Sequence, residues 1–315
     1  MNNLPSSIVV PENWIGERID KAVAALLPEY SRSQLSNWLK EGIILCNGQL
    51  RKPKDKIVGI CELSIDVERI PALNTTHQIA ENIPLDIVYE DEYLLVVHKP
   101  PGLVVHPGAG NSSHTLMNAL LYYHPPLQSI PRAGLIHRLD KDTSGLLLVA
   151  KTLATHTYLI RQMQERQIQR EYLAVVEGRI LSSATIETYF GRHSKNRLKM
   201  AVCDSGKEAI THYRVIERFA HFTLLRVKLE TGRTHQIRVH LAHIKHPIIG
   251  DRLYGRLRLP KQASEILRET LMHLPGQVLH AVDLTFTHPE SHEQIHCHAP
   301  MPDSLTRVMD ILRTG

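Results

Sequence analysis

Near the start of the chain the apolar positions repeat with helical spacing and then give way to a β-branched run. Ile19, Val23, Leu26 and Leu27 fall on one stripe, Arg18 and Lys21 lie off it, and Pro28 ends the segment. A second helix is expected after the candidate caps Ser31 and Ser33, with Leu35, Trp38 and Leu39 on one face and Gly42 as its stop. The run IILCNGQL follows, broken by Asn47-Gly48, a strong short hairpin signal. The predicted order is helix, helix, small hairpin.

Residues 69–84 are polar, contain Pro71 and Pro84, and show no sustained period. The chain is therefore read as a module over 1–75, a linker over 76–84 and a second domain over 85–315. The second domain opens with LDIVYEDEYLLVVHKPPGLVVHP, two β-rich runs around an acidic turn. Strand signals recur at 145–151, 172–178, 211–218 and 221–230, with a helical segment through Ala154, Tyr158 and Arg161 to Gln164 between the first two. Strands outnumber helices and short turns join them, so an antiparallel-rich α+β domain is expected rather than a doubly wound sheet.

Composition narrows this picture. At 315 residues, two domains are the natural expectation, and 43% apolar with 22% charged residues describes a globular chain. Lys and Arg exceed Asp and Glu by 37 to 32. The excess is concentrated at 51–56 (RKPKDK) and at 192–199 (RHSKNRLK), which holds no acid; such patches suit a polyanion or a solvated loop. Cys46, Cys61, Cys203 and Cys297 form no C-x-x-C pair, which points to a reducing compartment and buried or incidental thiols. The N-terminus does not read as a signal peptide and the apolar runs are strand-sized, so a cytoplasmic, membrane-free protein is expected.

Candidate chemistry gathers between Gly134-Leu135-Ile136 and the strand starting near Gly145. His137, Arg138, Asp140, Lys141, Asp142 and Thr143 sit there on a loop with rigid flanks, where reactive groups are usually delivered. Spacing does not separate Asp140 from Asp142. Arg138, two residues before Asp140, would point the same way on an extended stretch. His235, His240, His243 and His246 cluster near Asp251, but the segment THQIRVH reads as extended and no single face collects them. RNA contact or a structural role is expected of these histidines, and no metal site.

Two sets of residues carry a family resemblance. R-I-D-K at 18–21, S-R-S-Q-L at 31–35 and E-G-I-I-L-C-N-G at 41–48 resemble the S4-type RNA-binding module. HRLDKDTSGLLLVAK at 137–151, REYLAVVEG at 170–178 and LETGRTHQIRVHLAHIKHPIIGD at 229–251 resemble the RluA-type pseudouridine synthases, and the likeness extends over nearly the whole chain. The resemblance implies isomerisation of uridine to pseudouridine in large-subunit (23S) ribosomal RNA, without a cofactor. Asp140 would be the catalytic carboxylate, Arg238 its ion partner, and Tyr172 the aromatic that stacks on the flipped base. Arg138 would fill the gap that the base leaves. A carboxylate in a water-excluding pocket needs such a cation to favour its charged form. Arg18, Lys21, Arg32, Lys52, Lys54, Arg192 and Lys195 are the expected RNA contacts. The implied partner is a ribosomal RNA hairpin with several target uridines, or a pre-50S particle, met by a monomer.

Two other classes compete. A non-catalytic ribosome-assembly factor would grip RNA with both domains, and Asp140→Ala would cost it no modification activity. A glycosidase would use Asp140 and Asp142 as acid and nucleophile and would release free base.

Overall fold

In a computed structural model the stripe of Ile19, Val23 and Leu27 is buried, with Leu26 half-buried beside it. The structure describes residues 6–27, 30, 32–67, 69, 79–108, 111–196, 198–256, 259–260 and 263–314, without the side chains of 32–34. Pro28 and the candidate cap Ser31 lie outside the described residues. The chain divides into two units, Met1–His77 and Gln78–Gly315.

The smaller unit holds β1 (Ser7–Val9), α1 (Ile19–Leu26), α2 (Arg32–Glu41), β2 (Ile44–Cys46) and β3 (Glu62–Ile65). Leu35, Trp38 and Leu39 of α2 pack with α1 and with Ile44, Leu63 and Ile65 of an antiparallel sheet ordered β1-β3-β2. Asn47 and Gly48 both take positive φ, and Cys46 and Gln49 exchange backbone hydrogen bonds at 3.0 Å. The expected hairpin nonetheless stops at that turn. The partner of β2 is β3, with Ile44 opposite Ile65 and Cys46 opposite Leu63. Asn47 decides this: its Oδ1 accepts from Glu62 N and its Nδ2 donates to Ile60 O. Cys46 and Cys61 are buried as expected but are bonded to each other, which corrects the expectation that they stay thiols; Cys203 and Cys297 are free.

The larger unit contains β4 (Asp86–Glu90), β5 (Leu94–Lys99), α3 (Leu116–Tyr123), β6 (Ser144–Ala150), α4 (Leu153–Gln164), β7 (Gln169–Glu177) and β8 (Ala184–Arg192). It continues with β9 (Met200–Cys203), β10 (Lys207–Arg218), β11 (Phe222–Leu229), α5 (Gln236–His243), α6 (Glu265–Met272), β12 (Leu279–Thr287), β13 (Gln294–His298) and α7 (Asp303–Thr314). Among its described residues ten strands form one sheet ordered β4-β5-β6-β12-β7-β11-β10-β8-β9, with β13 on β12. Only β6 with β12 runs parallel among the named pairings, so the sheet is mixed and antiparallel-rich, as expected.

Both faces of the sheet's centre are covered. Leu147, Val149, Ala174 and Val227 share a core with Leu120 of α3 and Leu241 of α5. Leu146, Leu148 and Ala150 pack the other way, with Leu159 of α4 and Phe286. That burial on two sides explains the continuous apolar run in β6. Of the expected linker over 76–84, residues 79–84 are described. Among its described residues, Ile79 O accepts from Asn118 Nδ2 at 2.8 Å, and Glu81 N donates to Asn118 O at 3.0 Å, which fastens this stretch to the larger unit.

One expectation fails in an instructive way. The stretch THQIRVH is not extended: Gln236–His243 is helix α5. Its alternating apolar and polar residues read as a strand, yet residues 236–241 are all buried, polar ones included. The Gln236 side chain starts the helix by accepting from Arg233 N at 2.9 Å and from Thr231 Oγ1 at 2.8 Å. The sequence reading also assigns no helix at α3, α6 or α7.

Candidate active site

The charged loop between residues 135 and 143 is held at both ends by backbone approaches that exclude a side chain. A Cβ on Gly134 (φ +76°) would lie 2.0 Å from Ala150 O, and one on Gly145 (φ +115°) 2.2 Å from Ala281 O. Lys99, fully buried at the end of β5, reaches under the loop. Its Nζ donates to Pro100 O, Leu103 O and Lys141 O at 2.8–2.9 Å, which satisfies all three ammonium protons.

Asp140 is thereby presented to a cavity of about 550 Å³, walled by this loop, β7, the segment after β11 and the start of α5. Arg238, in the first turn of α5 and only 8% exposed, donates from Nη1 to Asp140 Oδ2 at 2.8 Å. Its other edge grips Asp251, Nε to Oδ2 at 2.7 Å and Nη2 to Oδ1 at 2.9 Å. Burial opposes charge on Arg238, but hydrogen bonds and charge from Asp251 and Asp140 outweigh it and raise its pKa. For Asp251, burial likewise pushes upward, while Arg238 and the Tyr254 and Leu253 amides bring it below the usual carboxylate range.

The remaining predicted residues converge here. Tyr172 stands on β7, between β12 and β11, with 4% exposure, and lines the cavity; burial raises its phenol. Arg138 lines the same cavity and is exposed. Asp142 does not line it: its side chain packs against Gly276. The structure thus separates the two carboxylates that spacing left equivalent.

Profiles of two families match the sequence: RNA pseudouridylate synthase over residues 93–243 and the S4 domain over 17–59. The chain is 50% identical over 307 residues to ribosomal large subunit pseudouridine synthase D of Xanthomonas campestris, covering 97% of this chain and 92% of that protein. It is 47% identical to the protein of the same name from Haemophilus influenzae, over 98% of this chain and 94% of that one.

The chain belongs to the RNA pseudouridylate synthase family.

Among solved structures it resembles human RNA pseudouridylate synthase domain containing 1. The TM-score is 0.56 at 29% identity, over 70% of this chain and 85% of that one. Membership in a synthase family sets aside the non-catalytic assembly factor. The glycosidase reading loses its second carboxylate, because Asp142 stands outside the cavity.

In this pseudouridine synthase most of the proposed RNA contacts stand at the surface. Arg18 is already paired with Asp20 at 2.7 Å and Lys21 with Glu17 at 2.8 Å. Lys52, Lys54, Arg192 and Lys195 are exposed, and the side chain of Arg32 lies outside the described residues. Among the described residues no group of three or more His, Cys, Asp or Glu side chains converges. His240 bonds Thr188 and Thr211, and His246 bonds Glu177 O.

Residue spacing missed several members of the site. Asp251 lies thirteen positions from Arg238, a separation with no local signal. His235, at φ +59°, places Nε2 3.8 Å from Asp140 Oδ1 and bonds the Tyr254 hydroxyl through Nδ1 at 2.8 Å. A non-glycine residue in that conformation is worth attention at a site, but only coordinates display it. Tyr254 also accepts from Met200 N at 2.8 Å, and its ring lies 5.2 Å from the Arg238 guanidinium carbon.

Proposed function

We propose that this synthase converts uridine to pseudouridine in large-subunit ribosomal RNA, without a cofactor, using Asp140 on a uridine flipped into the cavity. The Asp140–Arg238 pair on the cavity wall is the observation that carries the assignment of roles. The near-full-length likeness to proteins named ribosomal large subunit pseudouridine synthase D supports the substrate.

The reaction breaks the N1–C1′ bond, turns the base and joins C5 to C1′. The C5 proton leaves to solvent and N1 takes one up, so no electron or phosphoryl donor is required. Asp140 Oδ1, the oxygen to which Arg238 does not donate, serves as nucleophile at C1′ or base at C2′. Arg238 holds the carboxylate in one orientation, and Asp251 holds Arg238. Tyr172 stacks on the base, and Arg138, exposed at the cavity, replaces it in the RNA stack.

The S4 unit supplies further phosphate contacts through Lys52 and Lys54, and Arg192 at the end of β8 and Lys195 in the β8–β9 turn add theirs. The enzyme works as a cytoplasmic monomer on an rRNA hairpin with several target uridines, free or in a pre-50S particle. No helix among the described residues is long and apolar enough to cross a membrane.

The test uses large-subunit rRNA labelled with tritium at uridine C5. Purified protein without added cofactor should release tritium from it and leave the mass of unlabelled rRNA, treated in parallel, unchanged. Release of free base, or no release from unmodified rRNA, overturns the proposal.

A further inference from the structure

Arg170 is a buried cation without a counter-ion. It is 7% exposed and lines the same cavity as Asp140, and its side chain makes no hydrogen bond or ion pair with any described residue. Its Nε is sealed from solvent with no acceptor in reach. On β7 it precedes Tyr172 by two residues, so both side chains leave the strand on the same face.

The guanidinium lies against Gly232, where a Cβ would stand 2.6 Å from Nη1 and 3.5 Å from both Cζ and Nη2. The missing side chain at 232 is what makes room for it. Leaving an ion unpaired in such surroundings is costly, and in a folded chain it points to an ion that arrives with the ligand.

The neighbouring groups do not supply that ion. His137, on the same cavity wall, accepts from Leu148 N at Nε2 at 3.3 Å, so the ring's own proton sits on Nδ1. That Nδ1 also has no acceptor. Burial, with the charge of Arg170 adding to it, pulls His137 down to about 3 and keeps the ring neutral. Of the charged residues lining the cavity, six are arginines and two are carboxylates, Asp140 and Glu230. Both carboxylates are taken, by Arg238 and by Arg166. The wall therefore offers donors and positive charge in excess. An uncharged uracil carbonyl would satisfy a donor but leave the charge uncompensated; a phosphate does both.

We propose that Arg170, seated in the space left by Gly232, binds a phosphate adjoining the target uridine and so fixes the nucleotide against Tyr172. This rests on the cavity being the uridine site. It makes Arg170 a substrate-binding residue of the cavity in addition to Asp140, Arg238, Tyr172 and Arg138, which the sequence analysis expects there.

The experiment is a double-mutant cycle between enzyme and RNA. Wild type and Arg170→Gln bind an RNA stem-loop with one target uridine, in which the phosphate on its 5′ or its 3′ side is replaced by neutral methylphosphonate. One replacement should weaken wild-type binding roughly ten- to hundredfold, and Arg170→Gln should be insensitive to it. On unmodified RNA, Arg170→Gln should also show a salt slope shallower by roughly 0.7–0.9, and Arg170→Lys should restore that slope.

The proposal is overturned if neither replacement affects wild type, or if Arg170→Gln stays as sensitive as wild type. Weaker binding with an unchanged slope, the signature of a carbonyl contact or a packing role, also overturns it. Should Arg170→Gln lack the wild-type circular dichroism spectrum, Gly232→Ala, which crowds Nη1, replaces it in the cycle. Tritium release by wild type from unmodified RNA is scored separately, so failure of the activity and failure of the phosphate contact are told apart.

Discussion

Arg238 donates to Asp140 Oδ2 at 2.8 Å with one edge of its guanidinium while the other edge is clamped by Asp251 at 2.7 and 2.9 Å. The planar fork is thereby fixed before it meets Asp140, and lysine, with a single ammonium on a flexible stem, cannot reproduce both contacts. Arg238→Lys should lower kcat by roughly a hundredfold with a smaller change in KM. Asp251→Asn should act in the same direction through Arg238, and steady-state kinetics on rRNA transcripts checks both. Wild-type kcat in Asp251→Asn would show that the clamp is dispensable.

Asp140 and Asp142 differ in surroundings, although chemically identical. Asp140→Asn should abolish tritium release while keeping RNA affinity, because Asp251 still pairs with Arg238 and the other arginines of the cavity wall are untouched. Asp142→Asn should retain activity within roughly threefold, since its side chain faces Gly276 and not the cavity. Equal losses in the two variants would contradict the placement of the loop.

Tyr172 should matter mainly as a surface for the base. Tyr172→Phe keeps the ring and should bind RNA like wild type. Tyr172→Leu should weaken binding of a 5-fluorouridine RNA by about 1–3 kcal/mol, the worth of one stacked base. If binding is unchanged by the leucine, the base rests elsewhere.

Acid should unfold the larger unit earlier than its carboxylates alone predict. Burial holds His137 near 3, and His240 and His280 near 4, against an ordinary value of 6.5. The unfolded chain takes up these protons below 6.5 and the folded chain does not, so stability is lost as pH falls from 6.5 toward 3–4. Each histidine contributes a slope of up to about 1.4 kcal/mol per pH unit. Urea melts at pH 7 and pH 5 should show the loss, and His280→Asn should reduce it.

Removing residues 1–77 should leave the larger unit folded, because that unit has its own sheet and cores. RNA binding should weaken and its salt slope flatten, as measured by titration in KCl. An unchanged slope would remove the smaller unit from the RNA interface.

The sequence by itself determined the local elements with a clean period and the identities of the reactive groups. The stripe through Ile19 and Val23, the strand at Gly145–Lys151 and the turn at Asn47-Gly48 are set by nearest-neighbour chemistry. The motif around Asp140 named its partners only through family likeness.

Tertiary structure decided the rest. Helix α5 reads as a strand because Arg238 and His240 are buried beside Ile237 and Val239, and a helix buried all round displays no amphipathic period. The partner strand of β2 was set by Asn47 bonding across to Glu62. Asp140 was separated from Asp142 by Arg238, 98 residues away in sequence and 2.8 Å away in space. Arg170 became a candidate only when coordinates showed a buried guanidinium with nothing to pair with. Such relationships depend on which distant groups share a low-dielectric space, a property of the folded chain that no local spacing encodes.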